Sequence, residues 1–485
     1  MKINNPSERK YLNEDNYRHI LKIYLGDSSL EYLNTAKNLL EARNDVKYVS
    51  AAENLDILDF DTDAGNMLSE INNVTAYSNI NDNTYYFNDM NIKEAWEICQ
   101  GSRNITIGIL DKGINYNHED LADNMWVNTD EIPNDGIDND NNGYIDDIHG
   151  WNFANNSDEI DLPVGHGTIS ASIAGAVGDN SIGISGTAQK VSIAGLTING
   201  TIENNSETFM EIEVEAMAYV INNDIDFAYF GIVLGPIYNY EFDILQAAIE
   251  NYDSLCIVPA NNTGDNLDQV FISPVCYNSD NILTVGGTST SGNLIYNYGQ
   301  NAVDVLAGAE VIWHCVPETN NTYFVKFGTS TSAPLVLGVA VLLKNYNPSA
   351  SWQDIKTAIC STVNESLVQG AEGKIKYPGI VDAYAALMWM KENSPRKFTW
   401  DFGDDVYSDI TNLTSNITRE DMTFKANAAK PMTIEQGIVK LINGVYYNGR
   451  LKLTGEGDLS ERSISFDVFG DTTFILRRMQ QLSEI

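Results

Sequence analysis

Apolar and polar positions along the chain follow two different periods, which predicts alternating strands and helices. Residues 105–110 form a continuous apolar run, typical of a strand buried on both faces of a parallel sheet. Residues 328–343 begin with a Gly-Thr-Ser turn and then become apolar on every side, which indicates a helix buried in a large core. Two further predicted helices cover 166–177 and 381–390, and a third begins at 348. Two further predicted strands cover 255–258 and 282–285. This alternation favours a doubly wound α/β sheet for residues 83–394.

Two flanking regions depart from this pattern. Residues 17–58 contain a strand-like run, a helix-like run and a second strand-like run, so we expect a small α/β unit within residues 1–82. Near the other end, short alternating runs at 437–442 and 463–468 predict a β-rich C-terminal module over residues 395–485. The sequence of this module does not define its role.

Charge limits the classes of partner. Among the 485 residues, 67 are Asp or Glu and 29 are Lys or Arg, which gives a net charge of -38. Such an excess opposes binding to nucleic acid or to anionic membranes and suits the binding of cations. The N-terminal residues carry no apolar segment of the signal-peptide type, and the longest apolar run is too short to cross a bilayer. We therefore expect no partner nucleic acid and no membrane span.

The five cysteines do not predict a disulfide scaffold. They are odd in number and form no Cys-x-x-Cys pair, so at most one or two bridges are expected. Cys256 and Cys360 lie in apolar segments and are predicted to be buried thiols.

Candidate chemistry lies where the predicted strands and helices begin or end. Asp111 ends the first buried strand, His166 opens a helix and Ser330 opens the apolar helix, in whose first turn we place Pro334. A helix start favours developing negative charge, although serine is also a common helix cap. The chain order Asp, His, Ser is one of the few known for a nucleophile with its base and orienting acid.

These segments resemble those of the subtilisin-like serine proteases (subtilases, peptidase family S8). The resemblance spans roughly residues 85–393, and it implies a subtilisin-like doubly wound, mostly parallel sheet and a hydrolase that cleaves peptide bonds. Four matching segments in the family order carry it. They are Ile109-Leu110-Asp111-Lys112-Gly113, His166-Gly167-Thr168, Ala260-Asn261-Asn262-Thr263-Gly264 and Gly328-Thr329-Ser330-Thr331-Ser332-Ala333-Pro334.

The resemblance also implies roles for individual residues. Ser330 would attack the peptide carbonyl to give an acyl-enzyme, His166 would carry the proton, and Asp111 would fix the histidine tautomer. The side chain of Asn262 and the backbone N–H of Ser330 would stabilise the oxyanion. The substrate would be a protein or peptide bound as an extended strand.

Four positions depart from the family pattern. Lys112 stands where Thr or Ser is usual, Ile169 replaces a frequent second histidine, and Asn261 replaces a usual glycine. Val233 stands in the substrate-pairing segment where the family has Ser. Main-chain pairing with a peptide survives such changes, but the family's side-chain preference does not carry over.

A loop rich in Asp and Asn at residues 135–147 predicts a Ca²⁺ site. Its carboxylates would repel one another without a cation, and their spacing, with Gly143 at position six, resembles an EF-hand loop. The twelfth position is His149 rather than Glu, so Asp146 or Asp147 must close the shell. The predicted metal ligands are Asp138, Asp140, Asn142, the carbonyl of Tyr144, and Asp147.

The family resemblance implies a second calcium site. Subtilases often join an Asp after the first motif to an Asn-rich loop after the histidine helix. In this chain the matching residues are Asp120 and Asn180.

Residues 17–58 resemble the inhibitory propeptide of the family, which implies a zymogen whose partner is its own N-terminal segment. A processing junction would then fall between about Asp56 and Tyr85. The family is mostly secreted, so we expect a secreted or cell-surface protein, with a cytoplasmic location kept open.

Three alternatives to a calcium-stabilised endopeptidase remain at the level of sequence. A dedicated maturation protease or a peptide ligase would use the same acyl-enzyme. A pseudoprotease would keep the fold as a binding module. The unusual residues Lys112 and Val233 support this hypothesis.

Overall fold

The computed structural model describes residues 84–162, 165–199, 209–237 and 244–394, together with the backbone of short strands at 74–75 and between 397 and 475. Our prediction of an α/β unit over 17–58 lies outside these residues.

The strands of the central region match the predicted positions and run longer than expected. The strand predicted at 105–110 extends from Gly101 to Asp111. In chain order the strands are β1 (Val74–Thr75), β2 (Gly101–Asp111), β3 (Gly150–Asn152), β4 (Lys190–Thr197), β5 (Phe227–Phe230), β6 (Leu234–Ile237), β7 (Leu255–Pro259), β8 (Phe271–Ser273), β9 (Ile282–Thr288), β10 (Leu294–Ile295), β11 (Val305–Gly308), β12 (Ile312–Cys315) and β13 (Thr322–Lys326).

The central sheet is mostly parallel. Its order is β10-β9-β7-β5-β2-β4-β3, and β11 pairs with β9 off this path. β10 pairs antiparallel with β9, whereas β2 pairs parallel with β4 and with β5. Because parallel strands end at one edge, the residues after β2, β5 and β7 are neighbours in space.

Helices cover both faces of this sheet. They are α1 (Tyr85–Asp89), α2 (Ile92–Trp96), α3 (His166–Gly175), α4 (Phe209–Asn222), α5 (Ile244–Glu250), α6 (Thr329–Tyr346), α7 (Trp352–Ser361) and α8 (Ala383–Asn393). Short 3₁₀ turns lie at Ala122–Asn124 and Glu365–Leu367.

Alternation along β2 divides the core into two layers. Ile107 and Ile109 pack with α3 and α6 in one cluster, whereas Leu110 packs with α4 in another. Successive strand residues point to opposite faces, so one apolar strand supplies both layers. The doubly wound α/β architecture predicted from the sequence is confirmed.

Helices α3 and α6 cross at close range. At Gly338 of α6, an added Cβ would lie 2.9 Å from the carbonyl oxygen of Ala174 on α3. The missing side chain therefore lets the two helix backbones approach, which brings their first turns to the same edge of the sheet.

The beginning of α6 corrects one sequence prediction. The helix starts at Thr329 after Gly328, so Pro334 lies inside it rather than in its first turn. The N–H missing at Pro334 would have bonded the carbonyl of Ser330 four residues earlier. Our prediction opens the helix at Ser330, one residue after its actual start at Thr329.

The C-terminal region contains strands at both predicted runs, Ile438–Ile442 and Arg462–Phe466. Further strands there are Lys397–Asp401, Ser415–Asn416, Asp421–Ala426, Gly449–Gly455 and Thr473–Ile475. Among the residues that the structure describes, no helix is both long enough and apolar enough to cross a membrane.

Candidate active site

Asp111 and His166 form a direct pair at the carboxyl edge of the sheet. Asp111 is the last residue of β2, and His166 is the first residue of α3. The Nδ1 atom of His166 lies 2.8 Å from Oδ1 and 2.9 Å from Oδ2 of Asp111. Asp111 is 1% exposed, so this carboxylate is almost removed from solvent. An ionised carboxylate accepts only, and the histidine proton in this contact therefore resides on Nδ1.

Further donors hold the Asp111 carboxylate. The backbone N–H of Lys112 donates to Oδ1 at 2.7 Å, and the hydroxyl of Ser170 donates to Oδ2 at 2.9 Å. On the remaining side lies Gly231, where any Cβ would overlap the carboxylate. A buried charge needs such donors because water no longer solvates it.

Ser330 lies in the first turn of α6, near the carboxyl ends of β2 and β7. It is 9% exposed, and it follows Gly328, whose φ of +122° lies in the region that favours glycine. The chain turns sharply at this glycine before the helix begins. The first backbone N–H groups of a helix have no partner within it, so this turn can accept negative charge.

Asn262 is fixed beside this turn by Thr329. Its Oδ1 accepts the backbone N–H of Thr329 at 2.8 Å and the hydroxyl of Thr329 at 3.1 Å. Two donors at one end of the amide set its orientation, and the Nδ2 group is the end that can donate to a ligand. The neighbouring Asn261 has a φ of +75°, which asparagine tolerates better than most residues.

The segment after β5 supplies a short strand beside this site. Leu234 begins β6, which pairs antiparallel with β8 at Leu234 and Ser273. Val233, immediately before it, is buried.

A separate cluster joins two carboxylates of the predicted calcium loop to Glu131, which precedes the loop. Oxygen atoms of Glu131, Asp140 and Asp147 lie within 4.8 Å of one another. Asp147 is fully buried, and burial raises the pKa of its carboxyl to about 6, with Asp140 adding to the effect. The hydroxyl of Tyr219 donates to Asp147 Oδ2 at 2.6 Å. Three acids packed this closely fit a divalent cation with oxygen ligands.

The rest of the loop is folded around these acids. Backbone N–H groups of Asn142 and Gly143 donate to Asp138 at 3.1 and 2.9 Å, and the amide of Asn142 donates to Asp140 and to Asp147. Asp146 instead accepts the backbone N–H groups of residues 135 and 136, so its carboxylate holds a turn. Tyr144 is buried, and its N–H donates to Asn142 Oδ1 at 2.8 Å.

Asp120 and Asn180 are also in contact. The amide of Asn180 donates to Asp120 Oδ1 at 2.7 Å, and the N–H of Ile184 donates to Oδ2 at 2.8 Å. Asp120 is fully buried, and burial raises the pKa of its carboxyl to about 6.

Sequence reasoning missed three residues that the structure brings to these sites. Glu131 stands ahead of the loop motif, and Ser170 and Tyr229 lie within apolar elements. The hydroxyl of Tyr229 lies 3.4 Å from Ser170 Oγ. The available signal was the spacing of Ser170 four residues after His166, which puts both on one helix face.

The fold and this site define an α/β protein whose functional groups gather at the carboxyl edge of a doubly wound sheet. A sequence profile of the subtilase family matches residues 102–381, which is more than half of the chain. The chain belongs to the subtilase family of serine proteases.

Two relatives agree with this assignment. Thermitase of Thermoactinomyces vulgaris is 30% identical over 301 residues, which cover 61% of this chain and 92% of thermitase. Subtilisin-like protease 1 of Plasmodium berghei is 26% identical over 296 residues, which cover 58% of this chain and 49% of that protein. The chain therefore spans about half the length of that relative.

Solved structures agree on the fold. The MycP3 protease from the type VII (ESX-3) secretion system superposes with a TM-score of 0.50 at 18% identity. The match covers 63% of this chain and 88% of that protein. At this identity the likeness concerns the fold alone.

Proposed function

We propose that this protein is a serine endopeptidase that hydrolyses peptide bonds through Asp111, His166 and Ser330. The observation that carries the proposal is the 2.8 Å contact between His166 Nδ1 and the buried Asp111 carboxylate. The first turn of α6, with Ser330, lies at the same edge of the sheet. Membership of the subtilase family supports a hydrolase of this kind.

In this mechanism Ser330 Oγ attacks the peptide carbonyl carbon, and His166 Nε2 takes the serine proton. The tetrahedral intermediate collapses to an acyl-enzyme when His166 gives that proton to the leaving amine. Water then attacks the ester in the same way and releases the acid. Asp111 stays ionised throughout, keeps the histidine proton on Nδ1 and stabilises the imidazolium.

Two hydrogen-bond donors would stabilise the oxyanion of the tetrahedral intermediate. One is Asn262 Nδ2, whose amide is oriented by Thr329 through two hydrogen bonds. The other is the backbone N–H of Ser330 at the start of α6. Donors that are already fixed cost no reorganisation when the charge develops.

The substrate would be an extended peptide that pairs with main-chain groups of β6. One edge of this strand is taken by β8. Pairing through the opposite edge needs no particular side chain at Val233, so the loss of the usual serine there is compatible with binding.

We propose that the 135–147 loop binds Ca²⁺. Carboxylates of Asp138, Asp140 and Asp147, with Asn142, the Tyr144 carbonyl and Glu131, would hold it, and the ion would neutralise their charge and stabilise the loop. The support is the cluster of three carboxylates, with Asp147 buried. Asp120 and Asn180 form a second, weaker candidate, since the Asn180 amide and the Ile184 N–H already occupy both carboxylate oxygens.

The remaining parts of the proposal concern maturation. Residues 1–82 would act as an inhibitory propeptide, residues 83–394 as the catalytic domain, and residues 395–485 as a β-rich module. The zymogen would be secreted or displayed at the cell surface, although a cytoplasmic location is compatible with the same chemistry.

The test is the intact mass of the full chain in Ca²⁺ over time, beside Ser330→Ala and a control, Ser361→Ala, at the exposed end of α7. The wild type and the control should lose an N-terminal fragment that ends between Asp56 and Tyr85, while Ser330→Ala stays whole. A fluorophosphonate probe should label the wild type and the control only. Intact mass and no labelling of the wild type would overturn the endopeptidase and favour a pseudoprotease that serves as a binding module.

A peptide ligase or dedicated maturation protease is the second candidate, because an amine can resolve the same acyl-enzyme. Product analysis with an added peptide amine separates hydrolysis of the acyl-enzyme from ligation. Joined peptides as the main product would favour the ligase.

A further inference from the structure

Two buried hydroxyls lie behind the Asp111 carboxylate. Ser170 on α3 donates to Asp111 Oδ2 at 2.9 Å, and its Oγ lies 3.4 Å from the hydroxyl of Tyr229. Tyr229 stands on β5, where it is in register with Ile109 on β2, two residues before Asp111. Both side chains are fully shielded from solvent.

Each hydroxyl has a single proton, which limits it to one acceptor at a time. The ionised carboxylate is the stronger acceptor, so the single hydroxyl proton of Ser170 goes to Asp111. Burial, with the charge of Asp111, raises the pKa of Tyr229 well above its ordinary value, and its hydroxyl keeps its proton. That proton can go to Ser170 Oγ or to the carbonyl oxygen of Ser330, which also lies 3.4 Å away.

The carbonyl of Ser330 has a specific need for such a donor. In a helix it would accept the N–H of the residue four positions later, and that residue is Pro334, which has none. A buried carbonyl without a donor is destabilising. Tyr229 therefore supplies from β5 what the backbone of α6 cannot.

We propose that Ser170 and Tyr229 are positioning residues for the reaction of Asp111, His166 and Ser330, an inference that rests on the proposed function. Ser170 holds the carboxylate in the orientation in which both of its oxygens face His166 Nδ1. Tyr229 donates its one proton to the carbonyl of Ser330 and so supports the first turn of α6, while it packs 3.4 Å from Ser170 Oγ. The two hydroxyls thus act on different members of the site, Ser170 on Asp111 and Tyr229 on Ser330.

Each hydroxyl has a matched control. Ser172 is also buried on α3, and its Oγ donates to the carbonyl of Ile169 at 2.9 Å, away from Asp111. Tyr252 is also buried, and its hydroxyl donates to the carbonyl of Ile225 at 2.7 Å. Ser172→Ala and Tyr252→Phe thus remove a buried hydroxyl without touching the acid.

The experiment measures kcat and KM for a peptide substrate with the full chain carrying Ser170→Ala, Tyr229→Phe or either control. A hydrogen bond to a charge is worth more than a neutral one, so we expect kcat to fall about 10- to 100-fold for Ser170→Ala and about 3- to 10-fold for Tyr229→Phe. KM should change less than twofold, and both controls should stay within twofold in kcat at temperatures below their unfolding transitions.

A pH profile separates positioning from a general loss of stability. The Ser170 donor stabilises the carboxylate most when His166 is neutral, so its removal favours the imidazolium. The acid limb of kcat/KM should therefore move to higher pH in Ser170→Ala and stay in place in Ser172→Ala. Ser170→Cys, which keeps a side chain of the same shape but donates weakly, should fall between Ser170→Ala and the wild type.

Equal losses of kcat in the hydroxyl variants and their controls, or an unmoved acid limb, would overturn this inference while the endopeptidase stands. If Ser170→Ala does not fold, the test uses the rates at which the fluorophosphonate probe labels Tyr229→Phe and Ser170→Cys. Labelling rates equal to that of the wild type would overturn the inference. A wild type that neither hydrolyses peptides nor takes the probe would overturn the proposed function and this inference with it.

Discussion

Gly231 makes room for the carboxylate of Asp111. It follows β5 directly, and a Cβ at this position would overlap the Asp111 side chain. The absence of a side chain here is therefore a condition for the carboxylate to face His166.

We predict that Gly231→Ala lowers kcat about 10²- to 10⁴-fold, because the methyl group pushes Asp111 out of line with His166. Peptide hydrolysis by the folded variant measures this loss. The control is Gly370→Ala, where an added Cβ meets nothing within 4 Å, although the φ of +78° adds backbone strain. Activity of Gly231→Ala close to that of the control would contradict the prediction.

Asn262→Ala should lower kcat about 10²- to 10³-fold with little change in KM, because its amide would donate to charge that develops only in the transition state. Steady-state kinetics on a peptide substrate measure both parameters. The exposed Asn293, whose amide donates to Ser291, provides the control Asn293→Ala. A rise in KM with kcat unchanged would instead place Asn262 in ground-state binding.

Glu131→Gln should weaken Ca²⁺ binding about 10- to 100-fold, since Glu131 both joins the carboxylate cluster and holds the loop backbone. Its Oε1 accepts the N–H of Asn139 at 2.6 Å, and its Oε2 accepts the N–H of Asp146 at 3.0 Å. Calorimetric titration of Ca²⁺ into the Ser330→Ala chain measures the affinity without autolysis. Replacement of the exposed Glu94 by Gln in the same background should leave the affinity unchanged.

The stabilising effect of Ca²⁺ should grow as the pH rises from 5 to 7. Burial raises the pKa of Asp147 and of Asp120 from 3.8 to about 6. The stability that these protonated groups contribute is present below pH 3.8 and is lost as the pH rises through about 6. In the presence of a chelator, this contribution to the thermal stability of the Ser330→Ala chain should therefore decrease as the pH rises over this range.

Ca²⁺ binds the ionised carboxylates, so the rise in Tm on adding Ca²⁺ should be larger at pH 7 than at pH 5. The Asp147→Asn variant should lose much of this pH dependence. An equal Tm rise at both pH values would show that Asp147 and Asp120 do not take part.

The start of α7 offers a prediction about stability alone. Ser351 and Asp354 form a capping box, in which the Ser351 hydroxyl accepts the N–H of Asp354 at 3.2 Å. Ser351→Ala should reduce the free energy of unfolding by about 1 kcal/mol without changing kcat. Denaturant unfolding measures this, and Thr357→Ala at an exposed position of the same helix should be nearly neutral.

The sequence was sufficient to predict the sheet, because a long apolar strand and an apolar helix carry strong periodic signals. The pairing of Asp111 with His166 was implied by the resemblance to the subtilases, and the structure places the two side chains in contact. The close approach of Asp140 and Asp147 was also predictable because their spacing is local, and Ca²⁺ binding there stays a prediction. The structure resolves which acid turns toward the cluster, since Asp147 faces Asp140 while Asp146 holds a turn.

Other features depend on contacts between distant segments and leave no local mark. Tyr229 looks like any aromatic residue of a buried strand, and its role follows only when α6 brings Ser330 to it. Glu131 precedes its loop by too many residues to belong to a motif. Pro334 was wrongly placed in the first turn because no local signal shows that the helix already begins at Thr329.

The two ends of the central region, near residues 90 and 383, are joined by hydrogen bonds and apolar packing. The N–H of Ala383 at the start of α8 donates to the carbonyl of Met90 at 2.8 Å, and the amide of Asn91 donates to the Asp382 carboxylate at 2.7 Å. Met90 and Leu387 share the same buried cluster. During synthesis the helices near residue 90 must therefore wait for almost three hundred further residues before their partner emerges from the ribosome. A nascent chain that stops before α8 would leave this apolar contact surface exposed, so resistance to proteolysis should be completed only late in synthesis.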